Sequence, residues 1–136
     1  MKIAVRYFTR SGNTQKIAEA IGAAVGVPAL PLTNALEVPV DLLFLGSAVY
    51  AFGIDDAVKN FIGGLTPEQV SKVAIFSTTA VVTSAYNQLK KLLDERGIPV
   101  VAQNFHCYGK FAITHIGRPN QKDCDNAAAF AKELTQ

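Results

Sequence analysis

The chain is short of charge, short of cysteine and without a long apolar run, and each shortage removes a class of function. Charged residues make up 18% of its 136 residues and hydrophobic ones 49%. A disordered chain needs the opposite balance, low hydrophobicity with high net charge. Thirteen basic and eleven acidic side chains leave a net charge of +2. The basic residues are scattered, with Lys90-Lys91 the one adjacent pair, so no field suited to nucleic acid arises. Two cysteines, Cys107 and Cys124, cannot build a disulfide framework, and no CxxC or zinc spacing is present. No apolar stretch approaches the ~20 residues that cross a bilayer. The apolar run before Arg6 is too short for a signal peptide. The expectation is one compact cytoplasmic domain over residues 1–136, bound neither to nucleic acid nor to a membrane.

What is present alternates. Ile3 to Phe8 is a short β-branched and aromatic run, which reads as a strand. A polar turn, Thr9-Arg10-Ser11-Gly12-Asn13-Thr14, leads into a helical stripe of Ile17, Ala20, Ile21, Ala24 and Val25, closed by Gly26. Val27 to Leu32 is a second strand whose Pro28 and Pro31 cannot donate to a ladder, which confines it to a sheet edge. Leu42–Leu45 and Val73–Phe76 are apolar on both faces, as buried parallel strands are. Between them Val58, Phe61, Ile62 and Leu65 mark a short helix broken by Gly63-Gly64. A helix over about Thr83–Arg96 buries Ala85, Leu89, Leu92 and Leu93, with Gly97 as its stop. Val100–Cys107 is the last strand, and Asn120 with Asp123 three residues on caps a final helix ending near Leu134. Five strands alternating with about four helices predict an open α/β sheet with right-handed crossovers. The connection from Thr33 to Asp41 is too short for a helix and its turns.

Open α/β sheets bind ligands beyond the carboxyl ends of their strands. That rule nominates Thr9–Thr14, Ser47–Gly53, Ser77–Ala80 and Cys107–Phe111. The first combines three hydroxyls, a glycine and an asparagine between a strand and a helix, a composition suited to holding a phosphate on backbone N–H groups and hydroxyls. The same residues also suit an ordinary capped turn. The loop is neither GxxxxGK[ST] nor GxGxxG, and it holds no cysteine nucleophile. No aspartate pair follows the first strand and none ends the third, against a magnesium-dependent receiver domain.

The six-residue loop Thr9-Arg10-Ser11-Gly12-Asn13-Thr14 resembles the FMN-phosphate loop of flavodoxins, [ST]-x-[ST]-G-N-T. Leu45-Gly46-Ser47-Ala48-Val49-Tyr50-Ala51-Phe52-Gly53 is similar to the family's isoalloxazine-carrying loop, and Gly117-Arg118-Pro119-Asn120 falls at the matching place before the last helix. The resemblance spans essentially the whole chain. It implies an open doubly wound, flavodoxin-like parallel sheet with strand order 2-1-3-4-5. It implies FMN as cofactor, with Thr9, Arg10, Ser11, Gly12, Asn13 and Thr14 on the phosphate. Ala48, Val49, Tyr50, Ala51, Phe52 and Gly53 would lie along the ring, with Tyr50 stacked on it. Ser77, Thr78 and Thr79 would form a second flavin-lining loop, their hydroxyls toward the pyrimidine edge, although hydroxyls after a strand also cap helices.

The chain also departs from the family. Carrier flavodoxins are typically acidic, whereas only Asp55 and Asp56 stand near the expected flavin loop. Ala51 replaces the glycine whose peptide flips to stabilise the one-electron form, so that form should be less stabilised. The second loop lacks the usual covering aromatic, which would leave one ring face open. Arg10 either meets the phosphate or points to solvent. Cys107 reads as a small hydrophobe. Neither His106 nor His115 has an acid/base partner at useful spacing, and Tyr108, Phe111 and Phe52 suit an apolar mouth or core packing equally. The leading reading is an electron carrier served by a flavoprotein reductase or electron acceptor. An FMN-dependent NAD(P)H or quinone reductase, and a flavin-free interaction module on the same fold, are the alternatives.

Overall fold

A computed structural model describes residues 1–49, 53–79, 85–110 and 116–136. Nine elements follow in order: β1 (Ile3–Tyr7), α1 (Asn13–Val25), β2 (Ala29–Pro31), β3 (Leu42–Val49), α2 (Asp56–Gly63), β4 (Val73–Thr79), α3 (Tyr86–Glu95), β5 (Val100–Tyr108) and α4 (Gln121–Thr135). The five strands form one parallel sheet in the order β2-β1-β3-β4-β5. The chain therefore reverses direction of growth between β1 and β3, and every strand ends on the same edge.

Because the central strands are covered on both faces, alternate side chains enter two separate cores. Leu43, Leu45, Val73 and Ile75 join Val58 and Ile62 of α2 and Leu89 and Leu93 of α3. Leu42, Phe44, Ala74 and Phe76 join Ile17 and Ile21 of α1 and Ala127 and Ala131 of α4. Burial on both faces is what the unbroken apolar runs encode. The helix boundaries follow from local chemistry. Gly26 ends α1 in a left-handed conformation with its N–H on the Gly22 carbonyl. Asp55 caps α2 through the Ala57 N–H. Asn120 and Asp123 form a reciprocal capping box on α4.

Two expectations change in extent. β2 keeps only three paired residues, since each proline removes a donor. β3, β4 and β5 run further than their apolar stretches: the register continues through Ala48↔Thr78 and Val49↔Thr79 on one side and Thr78↔Cys107 and Thr79↔Tyr108 on the other. Helix α3 begins at Tyr86, and the Thr83 end expected for it lies outside the described residues. No helix joins β2 to β3, as the short connection required. In its place the guanidinium of Arg6, 5% exposed in the middle of β1, donates to the Asn34, Ala35 and Val5 carbonyls at 3.1, 2.7 and 3.0 Å. Burial pushes that guanidinium down, and the Glu37 charge opposes the shift.

Gly46 packs tightly against the neighbouring strand. A Cβ built there would lie 2.2 and 2.3 Å from two Phe76 ring carbons, so the ring of the neighbouring strand occupies the space a side chain would need. Replacing Gly46 by Ala is expected to lower stability by about 2 kcal/mol or more through overpacking, measured as a fall in the denaturant midpoint with an unchanged slope.

Candidate functional site

The β1–α1 loop stands at the carboxyl edge beside the point where strand order reverses. Gly12 is the N-cap of α1 with φ 89°, a left-handed conformation in which glycine is unstrained. Among the described residues a Cβ at Gly12 would meet nothing within 4 Å, so they leave space open above the cap. The Gly12 N–H is taken by the Thr9 hydroxyl at 2.9 Å, which folds the loop on itself. The first helical bond runs from Lys16 N–H to the Gly12 carbonyl, so the N–H groups of Asn13, Thr14 and Gln15 lie ahead of it. Among the described residues no side chain caps α1, and its first turn carries no acidic residue. By contrast α2 and α4 each have an Asp or Asn cap and an Asp in the first turn. A helix end left with free N–H groups and no carboxylate is arranged for an outside anion.

The structure brings only some of the expected site residues together. Ser11 is exposed at the loop tip and Thr9 half-buried. Arg10 extends outward and pairs with Asp55, joining the β1–α1 loop to the cap of α2. The Ala57 N–H first, and then Arg10, hold the Asp55 carboxyl below its ordinary range. The Asn13 side chain donates to the Lys110 carbonyl at 2.9 Å and packs against Gly109 so closely that a Cβ there would lie 2.6 Å from it. It therefore ties the loop to the segment after β5. Thr14, with no exposed surface, shares a 2.8 Å hydroxyl bond with Thr78.

Ala48 and Val49 are the last two residues of β3. Gly53 follows with φ 98°, and the next residue, Ile54, donates its N–H to Gln88 of α3. Tyr50, Ala51 and Phe52, with the stacking role and peptide flip expected there, lie outside the described residues, as do Ala80, Phe111 and His115. Ser77, Thr78 and Thr79 correct the expectation of a second loop. All three are buried inside β4, because the strands on both sides continue pairing past the apolar run. The Ser77 hydroxyl accepts the Ala85 N–H just before α3, and Thr78 faces α1. Four features were not read from the sequence: the Asp55 partner of Arg10, the Lys110 carbonyl under Asn13, Gln88 beneath Gly53–Ile54, and the Thr14–Thr78 bond. The Asp55-Asp56 pair before a helix was a visible cap signal; the other three contacts join residues distant in sequence.

On the far side of the edge, Thr79, Cys107, Tyr108, Arg118 and Asp123 line a cavity of about 210 Å³. Arg118 forks onto both Asp123 carboxylate oxygens, at 2.6 and 2.7 Å, and stacks over Tyr108 with 5.7 Å to the ring centre. Burial first, and the Asp123 charge after it, push the Cys107 thiol up to about 12. That keeps it a protonated core residue near neutral pH. Among the described residues no His, Cys, Asp or Glu cluster could hold a metal ion, and no helix is long and apolar enough to cross a membrane.

A five-stranded parallel sheet in this order, with an anion-ready first turn at its reversal point, defines a flavodoxin-like α/β protein. The flavodoxin domain matches residues 4–117, and the chain belongs to the flavodoxin family. Solved structures with the same fold include a flavodoxin from the domain Archaea, with TM-score 0.79, 18% identity and coverage of 98% of this chain and 96% of that one. Oxidised Flavodoxin 2 from Bacillus cereus superposes with TM-score 0.74 at 19% identity, over 99% and 98% of the two chains. A flavoprotein from Lactobacillus acidophilus, solved in complex with FMN, gives TM-score 0.61 at 16% identity over 77% and 91%. No curated protein matches the chain in sequence.

Asp123 supports a pH prediction. Burial alone would raise its carboxyl, but hydrogen bonds from Arg118 and the Asn120 N–H outweigh this and hold it below the ordinary value. A depressed carboxyl contributes stability above the unfolded value of about 3.9 and loses it as pH falls through the folded one. Asp123→Ala is expected to cost about 2 kcal/mol near neutrality, with the gap to the parent closing below about pH 4. Denaturant titrations across pH check this; a gap unchanged down to about pH 2 contradicts the assignment.

Proposed function

We propose that this chain binds FMN at the carboxyl edge of its sheet and carries electrons between a flavoprotein reductase and a redox protein acceptor. The observation that carries the reading is the first turn of α1. Its free N–H groups, its open glycine cap and its lack of any acidic residue fit a phosphate, and among the described residues no side chain caps them. Asn13, Thr14 and Gln15 would hold the phosphate through their backbone, Ser11 through its exposed hydroxyl, and Gly12 by leaving room for close approach.

Thr9 and Asn13 act one step back. The Thr9 hydroxyl shapes the loop by accepting from Gly12, and the Asn13 amide fastens it to Lys110. Arg10, held by Asp55, brings positive charge to the rim and links the phosphate end to the β3–α2 connection. Ala48 and Val49 lead into that connection, whose residues through Gly53 would lie along the ring, with Tyr50 the stacking side chain implied by the family motif. When bound, the flavin supplies the redox chemistry, and the protein supplies orientation and exclusion of water. The FMN complex of the Lactobacillus acidophilus relative supports this choice of cofactor.

Titrating flavin-stripped protein into FMN and into riboflavin, followed by flavin fluorescence, tests the reading. FMN is expected to be quenched with at least about tenfold higher affinity, the contribution of one or two charge-assisted hydrogen bonds. The loaded protein should be reduced rapidly by NADPH with a flavoprotein reductase and slowly by NADPH alone. Equal quenching of the two flavins, or none, would contradict the phosphate-anchored site.

A further inference from the structure

The buried hydroxyl pair between α1 and β4 has a composition that stability does not explain. Thr14 is 0% exposed and Thr78 2% exposed, and their hydroxyl oxygens lie 2.8 Å apart. The two side chains carry two hydroxyl protons and share one bond, and among the described residues neither has a further hydrogen-bond partner. One buried donor is thus left without an acceptor, an arrangement that disfavours folding. Two valines would fill the same space with no polar atom to satisfy, and exchanging both members of such a pair is often neutral or stabilising.

Position supplies the missing reason. Thr14 belongs to the first turn of α1, beside the free N–H groups, whereas Thr78 lies under it on the face of β4 that carries Ala74 and Phe76 into the core. If Thr14 donates, the spare proton is left on Thr78 over an apolar core. If Thr78 donates, the spare proton is left on Thr14 at the positive end of the helix, where a bound anion improves its energy. We infer that Thr78 is a positioning residue for the phosphate end of the site: its hydroxyl donates to Thr14, turns the Thr14 proton toward the β1–α1 loop, and holds the first turn of α1 in register with β4. Thr78 itself touches neither phosphate nor ring. Thr14, with no exposed surface, acts through the field and placement of the turn it belongs to. This replaces the pyrimidine-edge role expected for Thr78 and rests on the FMN reading above.

The test compares FMN and riboflavin affinities in Thr78→Val, Thr78→Ser and the Thr14→Val/Thr78→Val pair, with thermal stability measured on each. In Thr78→Val, FMN affinity is expected to fall about tenfold, the size of one lost hydrogen-bond contribution, while riboflavin affinity stays within about twofold. Thr78→Ser, which keeps the donor, should retain the parent preference. The double variant should be at least as stable as the parent and still lose the preference for FMN. It gives the same comparison if Thr78→Val alone does not fold. A parallel loss for both flavins, or an unchanged FMN affinity, overturns the inference. A parent protein that does not prefer FMN to riboflavin instead fails the underlying reading, and the inference with it.

Discussion

A helix N-terminus with unpaired N–H groups, held at the carboxyl edge of a parallel sheet, is the constraint on which the rest of this protein depends. Three peptide N–H dipoles point the same way, and no side chain of the helix neutralises them. Left loose, such a turn would fray or recruit a local cap. Here the Thr9 hydroxyl holds Gly12, the Asn13 side chain holds the segment after β5, and Thr14 meets Thr78 on β4. Three contacts, one within the loop and one each to the segment after β5 and to β4, hold the turn while leaving its outer surface open. That division spends side chains on support and leaves the backbone N–H groups of the turn facing outward.

The architecture was readable because its determinants are local or periodic. Two-sided apolar runs at Leu42–Leu45 and Val73–Phe76, the prolines around β2, Gly26 after α1 and the Asn120/Asp123 cap each act within a few residues of where they stand. The family motif then supplied the strand order that periodicity alone does not contain. What escaped depends on distant partners. Arg6 in β1 is compatible with a buried strand only because three backbone carbonyls converge on it, two of them, of Asn34 and Ala35, far away in sequence. Ser77–Thr79 looked like a loop because hydroxyls follow an apolar run. Their pairing with β3 and β5, and the helices that use Ser77 and Thr78, place them in the sheet instead.

The rim around the site differs in charge from an acidic docking face. Asp55 is committed twice, to the Ala57 N–H and to Arg10, and Asp123 is committed to Arg118 and to its own helix cap. These two carboxylates are thus used internally, whereas Asp56 is exposed with Lys59 3.9 Å away; one exposed carboxylate gives electrostatic steering of a strongly basic partner little to act on.

Where a phosphate is held decides the function of this edge, and backbone amide shifts report that directly. In a ¹H–¹⁵N spectrum of the flavin-stripped protein, adding FMN should move the amide resonances of Gly12, Asn13, Thr14 and Gln15 most strongly, and inorganic phosphate should move the same set more weakly. Shifts centred on the cavity lined by Tyr108, Arg118 and Asp123, with the first turn of α1 unmoved, would contradict it.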